Sequence, residues 1–185
     1  MLANAVLSMR SKSDLRSPLQ TWSETADFTA NGLLRLLFLY SDSICEPDAK
    51  HSTGPYPLIP CDLQNEIRKQ LLGFKYFGDE PARGPNSDHE AVYWSENHQM
   101  LYATAEYLAG QLMPDVWFQP TQHRRDPQTN TWVESTDTNW GMRGSNRMAR
   151  AYPRLVRWLD HRLMFGYSEW NSPVYYDYEI AGLLN

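Results

Sequence analysis

The 185-residue chain has no apolar run approaching the roughly 20 residues needed to cross a bilayer. Its best candidate, Leu33 to Tyr40, is short and is interrupted by Arg35. The start, Met1 to Leu7, lacks a basic stretch ahead of an apolar one, so no secretory signal is evident. Basic charge is scarce too: 17 Lys and Arg stand against 22 Asp and Glu, a formal net charge of -5 with a pI near 5.5. That balance argues against nucleic acid as a partner, because phosphate binding needs a basic surface. The arginines from Arg143 to Arg162 follow a helical pattern and read as a solvated face. Cysteine is limited to Cys45 and Cys61. They read most simply as two unrelated thiols in a reducing compartment, with a single disulfide as the alternative. His51, His89, His98, His123 and His161 are scattered, without His-x-x-x-His or Cys-x-x-Cys spacing, so no metal is expected. A glycine-rich phosphate loop and a G-x-S-x-G elbow are absent, and no cofactor is expected.

What the chain does have is aromatic rings and helical periodicity. Aromatic residues make up 13% of it, including seven Trp and eleven Tyr. Such rings suit packed helix interfaces and also clefts that stack sugar rings. The apolar spacing predicts helices rather than strands. A first helix is expected from about Asp27 to Tyr40, with Phe28, Gly32, Leu36 and Leu39 or Tyr40 at helical spacing and Asp27 as a cap candidate. A second opens near Asp62, carries the stripe Leu63, Ile67, Leu71 and Phe74, and frays at Gly73. A third runs from a Ser95 cap to Leu112 and is stopped by Pro114. A fourth spans about Ser145 to Phe165, with a kink predicted at Pro153, a stripe of Leu155, Leu159 and Leu163 beside Trp158 and Phe165, and a stop at Gly166. A fifth begins with Ser172 as cap and Pro173 at its first position. Residues 1–26 read as weakly structured, and 114–139 read as a long polar loop.

The densest chemistry lies in Tyr93-Trp94-Ser95-Glu96-Asn97-His98-Gln99. A helix that merely packs keeps polar groups to one side, whereas here they go all the way round. Some of them must therefore face a neighbouring element, either in a hydrogen-bond network or at a ligand.

This run, with Leu72-Gly73-Phe74-Lys75-Tyr76, Leu108-Ala109-Gly110-Gln111 and Gly166-Tyr167-Ser168-Glu169-Trp170-Asn171-Ser172-Pro173-Val174-Tyr175-Tyr176, resembles a family of large, mostly uncharacterised helical proteins. The likeness covers about residues 27–185. The helix-hairpin rhythm is similar to the (α/α) toroid of many glycoside hydrolases and polysaccharide lyases. The expected fold is thus all-α: a single helical domain of hairpins in a partial (α/α)-toroid-like array, a piece of a longer chain whose remainder would be a partner.

The toroid likeness implies carbohydrate chemistry on a polysaccharide. A lyase would use Asn97 to polarise a uronate carboxyl group, with His98 or a tyrosine, Tyr175 or Tyr176, moving the proton. An inverting glycosidase would set Glu96 against Glu169, with Asp177 and Glu179 as alternates. The candidate catalytic set is Glu96, Asn97, His98, Glu169 and Tyr176; the candidate substrate-binding set is Trp94, Trp170, Asn171 and Tyr175. The alternative is a non-catalytic helical interaction domain whose polar cluster is an internal brace. Glu96 would then answer the helix dipole, and Asn97 and His98 would tie down the loop that carries Ser168, Glu169 and Asn171.

Overall fold

The computed structural model describes residues 26–40, 59–77, 95–119, 122–125, 128–129, 132–135 and 141–168, with 172, 177, 180 and 182–184. Among these residues the fold is mostly helical, with four helices and four short strands. Helix α1 spans Ala26–Tyr40, α2 spans Cys61–Leu72, α3 spans Glu96–Leu112 and α4 spans Gly144–Phe165. The strands are β1 Trp117–Phe118, β2 Gln122–Arg125, β3 Trp132–Ser135 and β4 Met142–Arg143. Among the described residues, no helix is long and apolar enough to cross a membrane.

The helix ends follow local chemistry. Pro60, whose ring fixes its backbone, precedes α2 and accepts bonds from the amides of Leu63 and Gln64, both at 3.0 Å. Ser95 stands at the α3 cap position, but its hydroxyl lies 2.6 Å from Asn97 Oδ1 rather than on a backbone amide. Helix α4 runs unbroken past Pro153 and stops at Gly166, whose φ of 72° suits a residue without a side chain. Beyond it, Asp177, Ile180, Gly182 and Leu183 have helical backbone.

The core is shared by α1, α2 and α3. Leu33, Leu34 and Leu37 of α1, Ile67 and Leu71 of α2, and Tyr102, Ala105 and Ala109 of α3 close around Phe74, Tyr76 and Phe118. Phe74 stacks on Tyr102 and meets Tyr76 edge-on. The α2 stripe is as expected: Ile67, Leu71 and Phe74 are buried and Leu63 is partly so. On α1 the buried face is broader than the expected stripe, running through Ala26, Asp27, Ala30, Asn31, Leu33, Leu34, Leu36 and Leu37; of the expected positions Leu36 is buried, Tyr40 is partly buried against the core and Leu39 is exposed.

Helices α3 and α4 form an antiparallel hairpin. Gly110 near the end of α3 meets the start of α4, and Glu96 at the start of α3 meets Arg162 near the end of α4. Helices α1 and α3 run the same way, since Asp27 meets His98 and Asn31 donates to the Leu101 carbonyl at 2.9 Å. The stretch expected to be one long loop, 114–139, contains β1, β2 and β3, which form two small antiparallel ladders together with β4 just beyond it. β1 pairs with β4, placing Trp117 opposite Arg143, and β2 pairs with β3, placing His123 opposite Glu134. The first ladder clasps the hairpin at its closed end, where Gly144 N–H donates to Val116 O and Ser145 N–H to Pro114 O. Strands of two and four residues are too short to leave a sustained period-2 signature.

Two expectations are overturned. Cys61 is disulfide-bonded, so the reading of two unrelated thiols does not hold; the other cysteine, Cys45, lies outside the described residues. Spacing along a chain says little about the separation in space that decides bridging. On α4, the stripe expected to pack faces outward, with Leu159, Leu163 and Phe165 exposed, and the packing face is Gly144, Arg147, Ala151 and Trp158.

The hairpin depends on close approach at Gly110. A β-carbon there would lie 2.4 Å from Gly144 O and 2.8 Å from Met148 N, both rigid backbone atoms. Gly110→Ala should therefore destabilise by about 1–3 kcal/mol, whereas Gly32→Ala, with nothing within 4 Å, should stabilise by about 0.5–1 kcal/mol. Urea unfolding midpoints of the two variants check this pair.

Candidate functional site

Successive helical residues are about 100° apart, so positions 96 and 98 point about 200° apart. The polar run at the start of α3 therefore divides between two neighbours. Glu96 turns toward α4. Its carboxylate pairs with Arg162 and accepts bonds from Ser168 through both the backbone N–H, at 2.9 Å, and the hydroxyl, at 2.8 Å. Its backbone carbonyl takes the Trp158 indole N–H at 3.1 Å. Trp158 is in turn covered by the Arg162 guanidinium and meets Tyr167 edge-on.

His98 turns toward α1. Its Nδ1 lies 2.6 Å from Oδ2 of Asp27, and the edge of Phe28 closes on the imidazole. Asp27 is fully buried and the His98 side chain is 13% exposed. Burial pushes the Asp27 carboxyl up from its ordinary 3.8, and this outweighs the His98 hydrogen bond and charge, which pull it down. Asn31, one turn on, donates to the Asp27 carbonyl and to Leu101 O, both at 2.9 Å. Asn97 is buried between these two contacts and accepts from Ser95.

A second ionic cluster lies along the hairpin. Glu106, fully buried on α3, is met by three guanidinium groups of α4: Arg147 Nη1 at 3.2 Å, Arg150 Nε at 2.9 Å, and Arg154. The spacing i, i+3, i+7 puts all three on one helix face. Arg147 has no solvent exposure, and its guanidinium sits 5.1 Å from the Tyr76 ring centroid and 5.6 Å from that of Phe118. Arg154 and Arg150 lie over Phe77. The expectation that the Arg143–Arg162 arginines form a solvated face is thus overturned for Arg147, Arg150 and Arg154. A carboxylate without water needs cationic partners, and α4 supplies them.

Between these clusters, α3 and α4 enclose a groove of about 470 Å³. Gln99 and Ala103 line it from α3; Arg154, Arg157, Trp158, His161 and Arg162 line it from α4; Phe77 stands at its side. Arg157 and His161 are exposed, and Arg162 lies 2.7 Å from His161 Nδ1.

Of the sequence-derived candidates, Glu96, Asn97, His98 and the alternate Asp177 are described; Asp177 is exposed, and the fold separates Glu96 and His98 onto opposite neighbours. Ser168 does meet this run, through Glu96; the partner of His98 is Asp27, not the Ser168 loop. Glu169, Tyr176, Trp94, Trp170, Asn171 and Tyr175 lie outside the described residues, as does Glu179. Asp27, Glu106, Arg147, Arg150, Arg154 and Arg162 were not among the candidates. The signal for the Glu106 cluster was available: one acidic residue within the small and apolar run Met100–Leu112, and arginines at 147, 150 and 154 in the next helix. Among the described residues, no group of three or more His, Cys, Asp or Glu is arranged to hold a metal ion.

Two outcomes follow. Removing Glu106 leaves Arg147 buried without its carboxylate, so Glu106→Ala should cost about 3–5 kcal/mol, read as a fall in the urea midpoint. For Asp27, a folded-state pKa above the unfolded one means its stabilising contribution is full below 3.8 and is lost as pH rises through the folded value. The stability of wild type minus that of Asp27→Asn should therefore decline from pH 3 upward in parallel denaturant titrations. A rise would mean that the His98 contact outweighs burial. In comparisons with known proteins, no family model, no curated protein and no solved structure matches this chain.

Proposed function

We propose that this chain is a non-catalytic helical interaction domain whose polar motif is an internal brace. One observation carries the reading: the ionisable groups of the motif diverge, Glu96 to Arg162 and Ser168 on one side and His98 to Asp27 on the other. An acid–base pair must converge on one reacting bond, and these groups instead tie α3 to both of its neighbours. The pairing of a parallel neighbour (α1) and an antiparallel one (α4) around α3 supports a hairpin array of the (α/α)-toroid type. Exposed Tyr152, Val156, Leu159 and Leu163 make an apolar ridge on α4, a feature common at interaction surfaces.

A second reading, activity on a polysaccharide as a lyase or glycoside hydrolase, draws support from the arginine-lined groove beside Trp158. The two readings part in a simple assay. Incubating the protein with a uronate polymer should give no rise in absorbance from unsaturated product, and His98→Ala should lower the thermal midpoint. Product formation by the wild type, abolished in a folded His98→Ala protein, would replace the brace with a catalytic role.

A further inference from the structure

Helix α4 carries a face that the described residues leave uncovered. Tyr152, Val156, Leu159 and Leu163 are all exposed, Leu163 by 87%, and their alternating spacing of four and three residues is that of a helix-pairing seam. On one flank of the seam stand Arg157 and Asp160, both exposed and, among the described residues, without an ion-pair partner. We propose that this face pairs with the same face of a second copy of the chain, the two α4 helices running antiparallel about a two-fold axis at Leu159. The proposal rests on the interaction-domain reading and names the partner.

A two-fold axis makes the seam its own complement. With Leu159 on Leu159 at the axis, Val156 of each copy comes against Leu163 of the other, and Tyr152 comes over Gly166. There is room for that tyrosine. A cavity of about 460 Å³ is lined by Leu159, Asp160, Arg162, Leu163 and Tyr167, and a β-carbon on Gly166 would meet nothing within 4 Å. Antiparallel pairing also sets like flanks together, so Arg157 of each copy faces Asp160 of the other. A parallel pairing would set Asp160 against the opposite flank, at Leu155, and leave both charges unmatched. This charge match selects a second copy over a generic apolar partner. A lipid surface fits less well, since an acidic residue edges the ridge in a chain of net charge -5. From Tyr152 to Leu163 the seam is about 16 Å of helix. It belongs with the small interfaces, under about 1,200 Å² in total, whose association is weak and transient.

Sedimentation equilibrium of the full chain, from about 1 to about 500 µM, should show a reversible monomer–dimer equilibrium with a Kd on the order of 10–100 µM. Leu159→Glu sets two carboxylates together at the axis and should keep the chain monomeric throughout. Its helical circular dichroism should match wild type, because Leu159 is outside the core. Arg157→Asp and Asp160→Arg should each weaken the dimer about fivefold or more, since the two-fold repeats every like-charge contact. The double exchange should restore it, and this cycle decides the matter whether or not Leu159→Glu folds. The pairing is overturned if the wild type stays monomeric at the highest concentration, if folded Leu159→Glu dimerises like wild type, or if the double exchange is no tighter than the single ones. A monomer would retire the second copy alone and leave the interaction-domain reading standing. Turnover of a uronate polymer would retire that reading on its own assay.

Discussion

A carboxylate without access to water, Glu106 in the middle of α3, constrains everything on the α4 side of the fold. Moving an isolated ion out of water costs far more than any single packing contact returns, so cations must come to it. Arg147, Arg150 and Arg154 do so, and their shared helix face fixes the rotation of α4 about its own axis. With that rotation set, Gly144 comes against Gly110, and Trp158 and Arg162 come against Glu96. The cost appears on the far side, where Tyr152, Leu159 and Leu163 are left in solvent. A cluster of this kind contributes more to specifying one register than to net stability, because desolvating four charged groups offsets much of their attraction.

Helix α3 is held on its other side by smaller means. Asp27 and His98 meet across the α1–α3 interface, and Asn31 bridges the backbones of both helices with its two amide protons. The upward pressure on the Asp27 carboxyl shows that burial outweighs the imidazole contact at this point. The two sides of α3 thus differ in kind. Toward α4 the buried charge is heavily compensated, and toward α1 it is compensated by one partly exposed ring within an otherwise apolar core of Leu33, Leu34 and Leu37.

Helix positions were readable from the sequence because their signals are local. Pro60 ahead of α2, Ser95 ahead of α3, Pro114 beyond it and Gly166 after α4 each act on their own neighbours, and the helices begin and end within a residue or two of them. Which face each helix buries was less legible. On α4 the leucine spacing at 155, 159 and 163 is a good amphipathic pattern, but apolar burial competes there with the demand of Glu106, which belongs to another helix. On α1, Asp27 read as a cap because acidic residues favour first turns; its burial depends on His98, 71 positions away. The expectation that some of the polar run faces neighbouring elements holds, since Glu96 and Asn97 are buried. Its division between two neighbours follows from helical geometry, but the identity of those neighbours is tertiary information.

The brace and the groove are one construction seen from two sides. Glu96 has one oxygen against Arg162 and the other accepting two bonds from Ser168. Drawing a proton onto either oxygen would break contacts that position α4, which makes this carboxylate a poor choice for acid–base work that must cycle with every turnover. The same engagement is an advantage for binding. Arg162 and Arg154, each held by a carboxylate behind it, lose little further freedom when an anion approaches from the front, and Trp158 is fixed by its bond to the Glu96 carbonyl. A wall ordered in advance spares a ligand the entropy of ordering it. Arg157 stands exposed between these two immobilised arginines and, among the described residues, makes no ion pair, so the order of the wall owes nothing to it.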